Sequence, residues 1–504
     1  MLLELNRENH VPLYAQIVSQ VSEMISKGTL RVGDRLPANR ELAKRLGVNR
    51  TTVSTAYAEL AADGLITSQV GRGTFISGVP AAGARREERP QPAAMPWGAL
   101  LSDQRRENWL DGTLAYSLSG RHISLAYSLP SADLFPLDDF RKCVDRVMRR
   151  EGRSLLQLGR SRGYEPLREH LATQMALMGI KTGPEEILIT NGCQQSLDLI
   201  RQILVGPDDE VALENPTYPG ALVIFCGSTS KFISVPVTEQ GMDLDALEDI
   251  LSQRRPKLIY TIPSFHNPTG ATMDMQTRRR LIELATRHRV PIVEDDIYRE
   301  IRYEGAMLPP LKALDEYGIV IYINSFSKVS FPGLRVGWVV APRIVIDHLN
   351  RAKERSDLHA SLMTQAAIHE FSRHGLLARH IKRVKRAYAE RRDCMLEALE
   401  KHFPEEARWN RPEGGMALWV RLPERLNAGQ VLLQAAEQGV TFSPGEAFYC
   451  SLPSQDMMRL SFTMASPPLI REAIKRLGRV IEARMSSLRK QRKLHGAEAL
   501  RALV

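Results

Sequence analysis

The sequence predicts an α/β protein with a small, mainly helical N-terminal domain and a large domain built on a mainly parallel sheet. From residue 123 onwards, short β-branched runs such as EILIT, KLIYTI and IVIYIN alternate with longer amphipathic runs, which is typical of βαβ units. Residues 1–78 show short helical periods instead, and a stretch rich in Pro, Ala, Gly and charge follows at 79–121. We expect a flexible linker there, the large domain with a smaller C-terminal α/β subdomain over 122–485, and a basic tail over 486–504.

Composition excludes several classes of protein. A chain of 504 residues with 43% hydrophobic and 25% charged residues is neither wholly disordered nor collagen-like. No apolar run approaches the ~18 residues of a membrane span, and the first residues lack the layout of a signal peptide. Five cysteines without CxxC pairs predict neither a disulfide scaffold nor a zinc site. We therefore expect a cytoplasmic protein with no metal and no membrane partner.

The net charge of +10 is uneven along the chain. Residues 471–504 hold ten Lys and Arg against three Asp and Glu, whereas residues 1–78 hold nine against seven. Net charge therefore does not by itself identify a nucleic-acid-binding domain. The basic tail is interpreted either as a contact to the DNA backbone or as a solvated helix extension, and the second interpretation is favoured.

Three helices are predicted in the N-terminal domain. An apolar period of four residues covers 13–25, a second helix covers 40–46, and Gly47 provides the turn to a third helix over 50–63. Asn49 is the expected N-cap of the third helix. Four side chains of that helix should face inward: Val53, Ala56, Tyr57 and Leu60.

A hairpin follows these helices, because LITS and TFIS flank QVGRG with Gly71 and Gly73 at its tip. The pattern predicts a winged helix-turn-helix, in which the third helix reads bases and Arg72 approaches the minor groove or the phosphates. Such a domain can also bind proteins. The Arg, Thr and Ser residues of the third helix, with no acid before Glu59, favour DNA.

The segment from PLYAQI to GRGTF closely resembles the GntR family of bacterial regulators over residues 11–77. The resemblance implies double-stranded DNA, read as operator half-sites, as a partner. It also implies five contact residues: Arg40, Arg50, Thr51, Thr52 and Gly73. Asn39 stands where Ser is more usual, and we expect it to remain the N-cap of the second helix.

In the large domain, Lys328 lies in SFSKVSFPGLRVGW, directly after the strand-like IVIYIN. A lysine after a strand is most often a surface residue. Here Ser325 and Ser327 offer hydroxyl groups and Arg335 offers a cation, a set that could hold a phosphate beside an amine. Pyridoxal 5'-phosphate requires such an amine and a separate phosphate anchor.

Other groups that this cofactor needs also follow strand-like runs. Asp295, in VPIVEDDIY, could keep the ring nitrogen protonated, and Tyr298 and Asn267 could donate to the phenolic oxygen. Tyr218 could stack on the ring. Three residues open a helix toward an anion: Gly192, Cys193 and Gln194. Taken singly, each has an ordinary structural interpretation as a cap, a turn or a core residue, but their order favours one site at a sheet edge.

The order and the sequences of these motifs resemble those of the fold-type I pyridoxal-phosphate enzymes of the aspartate aminotransferase-like group, from Ile123 onwards. The resemblance implies that Lys328 forms the Schiff base with the cofactor and that Asp295 pairs with its ring nitrogen. Arg459, in MMRLSFTMA, would bind a substrate or effector α-carboxylate, with Gly414 and Gly415 in the neighbouring loop. The implied phosphate ligands are Gly192, Cys193, Gln194, Ser325, Ser327 and Arg335.

Two positions depart from the family pattern. Leu158 stands where a tyrosine usually reaches the phosphate of the partner subunit's cofactor. Ser128 stands where a glycine usually lies near the substrate carboxylate. Both departures disfavour ordinary turnover, and neither touches the lysine and aspartate pair.

The combination of a GntR-type N-terminal domain and an aminotransferase-like large domain resembles the MocR/GabR subfamily of transcriptional regulators over nearly the whole chain. The resemblance implies a homodimer that binds DNA and senses an amino acid or amine through an external aldimine, with at most partial transamination. Two alternatives stay open: a working aminotransferase with an accessory DNA-binding domain, and a dimerisation scaffold without cofactor. Leu158 and Ser128 disfavour the first, and the set of Lys328, Asp295 and Asn267 disfavours the second.

Overall fold

A computed structural model of the chain describes residues 3, 5–6, 11–69, 73–77, 122–226, 231–423, 426–451 and 453–501. The chain divides into two units, residues 1–102 and 103–504. The predicted linker at 79–121 and the predicted wing residue Arg72 lie outside the described residues. In the part that is described, no helix is both long enough and apolar enough to cross a bilayer.

The described part of the N-terminal unit has three helices and a small antiparallel sheet. Its elements are α1 (Leu13–Ser26), β1 (Arg35–Leu36), α2 (Asn39–Leu46), α3 (Arg50–Ala62), β2 (Ile66–Gln69) and β3 (Gly73–Ile76). The strand order is β1-β3-β2, so β2 and β3 form the predicted hairpin. The short strand β1, which pairs with β3, was not predicted from the sequence.

The third helix agrees with its prediction over 50–63 to within one residue, since it ends at Ala62. Oδ1 of Asn49 accepts a 3.1 Å hydrogen bond from the Thr51 backbone N–H, and the four predicted inward side chains are each 6% exposed or less. The expected capping role of Asn39 is wrong. Helix α2 begins one residue earlier than predicted, so Ala38 takes the cap position and the Asn39 amide donates instead to Oγ of Ser54, at 2.9 Å.

In the described part of the second unit, the first strand is β4 (Ile123–Ser124), and a central sheet has eight strands. These strands are β5 (Ile187–Thr190), β6 (Glu210–Asn215), β7 (Lys231–Thr238), β8 (Gly241–Met242), β9 (Leu258–Thr261), β10 (Ile292–Asp295), β11 (Val320–Ser325) and β12 (Gly337–Val340). Their spatial order is β5-β12-β11-β10-β9-β6-β7-β8.

Six of the eight strands of this sheet point the same way. Strands β7, β6, β9, β10 and β11 pair in parallel in that order, and β12 is antiparallel to both β11 and β5. Strand β5 therefore points the same way as β11. The carboxyl ends of β5, β6, β9, β10 and β11 share one edge of the sheet, where sites form in such folds.

Helices precede, connect and follow these strands along the chain. They are α4 (Leu137–Leu155), α5 (Glu165–Leu177), α6 (Cys193–Leu204), α7 (Pro219–Cys226), α8 (Leu244–Gln253), α9 (Met275–His288), α10 (Leu311–Leu314), α11 (Arg343–Asp357), α12 (Leu362–Arg373) and α13 (Leu376–His402). Every residue of β5, β9, β10, β11 and β12 is buried, as expected of a sheet covered on both faces. The observed sheet confirms the predicted α/β fold.

A smaller subdomain follows. An antiparallel sheet contains β13 (Arg408–Trp409), β14 (Ala417–Arg421), β16 (Ser443–Pro444) and β17 (Met457–Ser461), in the order β13-β14-β17-β16. Strand β15 (Val440–Thr441) pairs in parallel with β4. The helices here are α14 (Ala428–Glu437) and α15 (Pro467–Arg501), and residues 486–501 of the predicted tail continue α15.

Candidate functional site

Lys328 follows β11, and its amino group contacts other segments of the second unit. Nζ donates a 2.7 Å hydrogen bond to the Ser128 carbonyl oxygen and lies 5.7 Å from the centre of the Tyr298 ring. Burial, and after it the nearby charge of Arg459, lower the pKa of Lys328 to about 8. A lysine with such a pKa is partly neutral near pH 7, and the neutral amine is the nucleophile.

Asp295 is the last residue of β10 and is 1% exposed. Tyr260, on the neighbouring strand β9, donates a 2.9 Å hydrogen bond to Oδ2 of Asp295. Oδ1 has no hydrogen-bond partner among the described residues. Burial raises the pKa of Asp295 to about 7, and the bond from Tyr260 opposes the rise. A buried oxygen of this kind is suited to a cationic N–H group.

Four of the predicted phosphate ligands adjoin one another, and we call Gly192, Ser325, Ser327 and Arg335 the phosphate cradle. Gly192 has φ +90°, and a Cβ there would lie 2.6 Å from Nη2 of Arg335. Arg335 contacts Oγ of Ser327 at 3.5 Å, and Oγ of Ser325 donates to that same oxygen at 2.8 Å. The cradle lies at the start of α6, where unpaired backbone N–H groups favour an anion.

Gln194 and Tyr218 contact each other beside the cradle. The Tyr218 hydroxyl donates to Oε1 of Gln194 at 3.2 Å, and the Gln194 amide donates to the Gly220 carbonyl at 3.1 Å. Burial raises the pKa of Tyr218 to about 12 and also raises the pKa of the Cys193 thiol. Both groups are therefore neutral near pH 7, and Cys193 is a small buried residue and not a reactive thiolate.

Arg459, in β17, is a buried guanidinium held by neutral acceptors. Nη1 donates to Oδ1 of Asn267 at 2.8 Å, and Nη2 donates to the Ala126 carbonyl at 2.6 Å. Cζ lies 4.8 Å from the centre of the Phe448 ring. Nε has no partner, and no described carboxylate pairs with this arginine. A buried cation without an acidic partner is suited to an anionic ligand.

A small cavity adjoins Lys328, because Ser128, whose carbonyl accepts from the lysine, is one of its lining residues. Gly414 and Gly415 lie around it together with Asn267, Tyr298 and Ser128. Burial raises the pKa of Tyr298, so its phenol stays protonated and can donate. The departure at Ser128 thus lies inside the candidate site, where its carbonyl is the acceptor for the lysine.

In the N-terminal unit, Arg40, Arg50 and Thr51 are exposed and Thr52 is half-buried. The ion pairs of the described part of this unit are Lys27–Glu23 and Arg45–Glu41, so neither Arg40 nor Arg50 is neutralised there. Positive charge on the exposed face of α2 and α3 is the arrangement that DNA phosphates and base edges require.

Gly73 begins β3 with φ +115°, a backbone conformation that favours glycine. A Cβ there would lie 2.8 Å from Nε of Arg35, an exposed residue of β1. Sequence reasoning missed Arg35 because β1 has only two residues and no periodic pattern. It missed Tyr260 because the neighbour of β10 in the sheet cannot be deduced from the strand itself.

Two family models match the chain. The model for aminotransferase class I and II matches residues 126–477, and the model for bacterial regulatory proteins of the gntR family matches residues 13–76. The chain is similar, at 36% identity and a TM-score of 0.73, to the crystal structure of LysN, the α-aminoadipate aminotransferase of Thermus thermophilus, complexed with N-(5'-phosphopyridoxyl)-L-leucine. That likeness covers 77% of this chain and 99% of the other.

Curated relatives include both enzymes and regulators. Aromatic-amino-acid aminotransferase 1 of Thermococcus litoralis is 39% identical over 369 residues, which is 72% of this chain and 88% of that protein. The probable rhizopine catabolism regulatory protein MocR of Rhizobium meliloti is 31% identical over 482 residues, which is 94% of this chain and 95% of that protein. The chain therefore belongs to the family of GntR-type transcriptional regulators, MocR among them, that carry an aminotransferase class I and II domain.

Proposed function

We propose that this DNA-binding regulator senses an amino acid or amine in its second unit and changes its binding to operator DNA in response. One observation carries the proposal. A chain with an exposed Arg and Thr face on α3 also keeps Lys328, Asp295 and Arg459 close enough together inside the second unit for the charges of Asp295 and Arg459 to act on the lysine. The first feature suits DNA, and the second suits a small amino compound.

The cofactor of this domain is pyridoxal 5'-phosphate, which supplies an aldehyde for amines and a ring that accepts electrons from the α-carbon. The residues fit it. Lys328 would provide the amine, and Oδ1 of Asp295, buried without a partner among the described residues, would accept from the protonated ring nitrogen. That cation would stabilise the ionised carboxylate, which burial otherwise disfavours.

The other residues would orient the ring. The phosphate cradle would hold the phosphate, Tyr218 would stack on the ring, and Gln194 would hold Tyr218 in place. Oδ1 of Asn267 accepts from Arg459, which leaves the Asn267 amide N–H to donate to the phenolic oxygen together with Tyr298.

We propose that the effector places an anionic group, such as an α-carboxylate, on Arg459. This arginine connects β17 to the loop after β9 through Asn267 and to the segment after β4 through Ala126. A carboxylate that competes for the guanidinium would change these contacts between the two subdomains. The ligand changes DNA affinity only by its difference in affinity for the two arrangements.

We also propose a homodimer. Leu156, Leu158 and Leu358 are 72%, 81% and 60% exposed. The backbone N–H of Gly159 donates to Nε2 of His359 at 3.2 Å, so the two leucine-bearing segments adjoin. Exposed leucines in adjoining segments are typical of a surface that a second subunit covers. Analytical ultracentrifugation of the chain with Leu158→Asp and Leu358→Asp should give a monomer, and a dimer of unchanged stability would exclude this surface.

A second candidate function, a working aminotransferase, is favoured by the 39% identity to an aminotransferase. Steady-state transamination with a panel of amino donors and 2-oxo acids distinguishes the two. A regulator gives at most a single half-reaction, whereas an enzyme turns over many times per site.

Footprinting of the full-length chain on genomic DNA, with and without a panel of amino acids, tests the proposed function. We expect protected half-sites whose occupancy changes with one class of amino compound. The absence of any sequence-specific protection, together with multiple turnovers in the transamination assay, would overturn the proposal in favour of the enzyme.

A further inference from the structure

An ion pair between a buried lysine and a half-buried aspartate lies beside the phosphate cradle, at the C-terminal end of α11. Nζ of Lys353 lies 2.6 Å from Oδ1 of Asp357, and the lysine side chain is 0% exposed. Burial lowers the pKa of Lys353, and the aspartate opposes this effect. A buried ammonium requires such a partner, so the pair fixes the position of the Asp357 carboxylate.

The second oxygen of this carboxylate accepts two amide hydrogen bonds. Oδ2 of Asp357 accepts from Nδ2 of Asn191 at 2.6 Å and from Nε2 of Gln195 at 2.7 Å. Oε1 of Gln195 in turn accepts from the backbone N–H of Asn191 at 2.7 Å. Asn191 is therefore held at its side chain by the aspartate and at its backbone by the glutamine.

Asn191 connects this network to the cradle. It directly precedes Gly192, and its carbonyl oxygen accepts a 2.9 Å hydrogen bond from Nη2 of Arg335. The orientation of Asn191 thus decides both where the Gly192 peptide lies and where the guanidinium is held. A charged acceptor forms stronger bonds to amides than a neutral one, so ionised Asp357 restrains Asn191 effectively.

We propose that Asp357 is a positioning residue, which sets the phosphate cradle through Asn191 and Gln195. The preference of the chain for phosphorylated over unphosphorylated pyridoxal then depends on a carboxylate that does not itself belong to the cradle. This inference rests on the assignment of the cradle in the proposed function.

The test measures the equilibrium affinity of the full-length chain for pyridoxal 5'-phosphate and for pyridoxal, which lacks the phosphate. The variants are Asp357→Asn and Asn191→Ala. The matched control is Asp347→Asn, on the same helix, whose carboxylate pairs with Arg162. We expect both variants to bind the phosphorylated compound about tenfold less tightly, the value of a hydrogen bond to a charged group, with pyridoxal affinity unchanged. The control should keep both affinities.

Each other outcome is decisive. Equal losses for the two compounds would mean that Asp357 only supports the fold, and unchanged affinities would mean that it does not act on the cradle. If Asp357→Asn fails to fold because Lys353 is left unpaired, Asn191→Ala decides, since it keeps the ion pair. A wild-type chain with no preference for the phosphorylated compound would overturn the cradle assignment, and this inference with it.

Discussion

The phenol of Tyr260 donates to Oδ2 of Asp295 across two neighbouring strands, at 2.9 Å. Burial raises the pKa of Tyr260, so the phenol remains a donor at any physiological pH. The bond occupies one carboxylate oxygen, and the other is left without a partner among the described residues. The pair therefore orients Asp295 before any ligand is present.

The first prediction concerns this pair. Because burial raises the pKa of Asp295 from its ordinary value near 4 to about 7, ionisation of Asp295 costs stability as the pH rises through that window. The bond from Tyr260 reduces this cost. Tyr260→Phe should therefore lower the free energy of unfolding of the cofactor-free chain by about 1–3 kcal/mol at pH 8, and by less at pH 5. Urea unfolding at both pH values measures it, with the exposed Tyr317→Phe as control.

A loss of equal size at both pH values would contradict this prediction. It would show that the contribution of the phenol to stability does not depend on the charge of Asp295.

The second prediction concerns Lys328. Reduction of the cofactor-loaded chain with borohydride should attach a pyridoxyl group to this lysine, located by peptide mass spectrometry. Lys328→Ala should abolish the attachment and leave the sheet folded, because the side chain lies in the pocket at the end of β11 and not in the core of the sheet. A Lys328→Ala chain that is still labelled at one lysine would show that another residue holds the cofactor.

The third prediction is a pH dependence of cofactor capture. Since burial and Arg459 lower the pKa of Lys328 to about 8, the neutral amine should increase with pH and reach a plateau above that value. The association rate of pyridoxal 5'-phosphate should rise up to about pH 8 and then level. If the lysine had an ordinary pKa near 10.4, the association rate would keep rising beyond pH 9. Stopped-flow absorbance between pH 6 and 10 distinguishes the two profiles.

The fourth prediction concerns DNA. Arg50→Ala should weaken operator binding by about 1–3 kcal/mol if the arginine reads a base, and Arg31→Ala, which removes an exposed charge before β1, should cost less. Arg72→Ala, at the position predicted from the sequence to approach the minor groove or the phosphates, should weaken binding to all DNA sequences alike and flatten its salt dependence. Fluorescence anisotropy over a salt series measures both effects. Unchanged affinity in Arg50→Ala and Arg72→Ala would mean that this unit binds something other than DNA.

The sequence predicted best what depends on local pattern. The period of 3.6 residues identified the buried side chains of α3 correctly, and the motifs after strand-like runs contain Lys328 and Asp295, whose charges interact inside the second unit. It failed where a contact depends on which elements are neighbours in space. Tyr260 and Asp357 lie far along the chain from the residues that they hold, and neither stands in a recognisable motif.

The predicted capping role of Asn39 failed for a different reason. An asparagine before an amphipathic run is typical of an N-cap, and the prediction rested on that preference. In the structure its amide reaches Ser54 on the next helix, a tertiary contact that outweighs the local preference. Element boundaries are thus decided by packing that a single segment does not reveal.

If an amino ligand acts on DNA binding through Arg459, transcription from the footprinted promoter should depend on this arginine. Promoter output is measured with and without the amino compound that changes operator occupancy. The wild-type chain is compared with Arg459→Ala and with Arg411→Ala, an exposed arginine paired with Glu304. We predict that the wild type and Arg411→Ala respond to the compound, while Arg459→Ala, with its cofactor absorbance intact, does not. A response of Arg459→Ala equal to that of the wild type would show that the ligand does not act through Arg459.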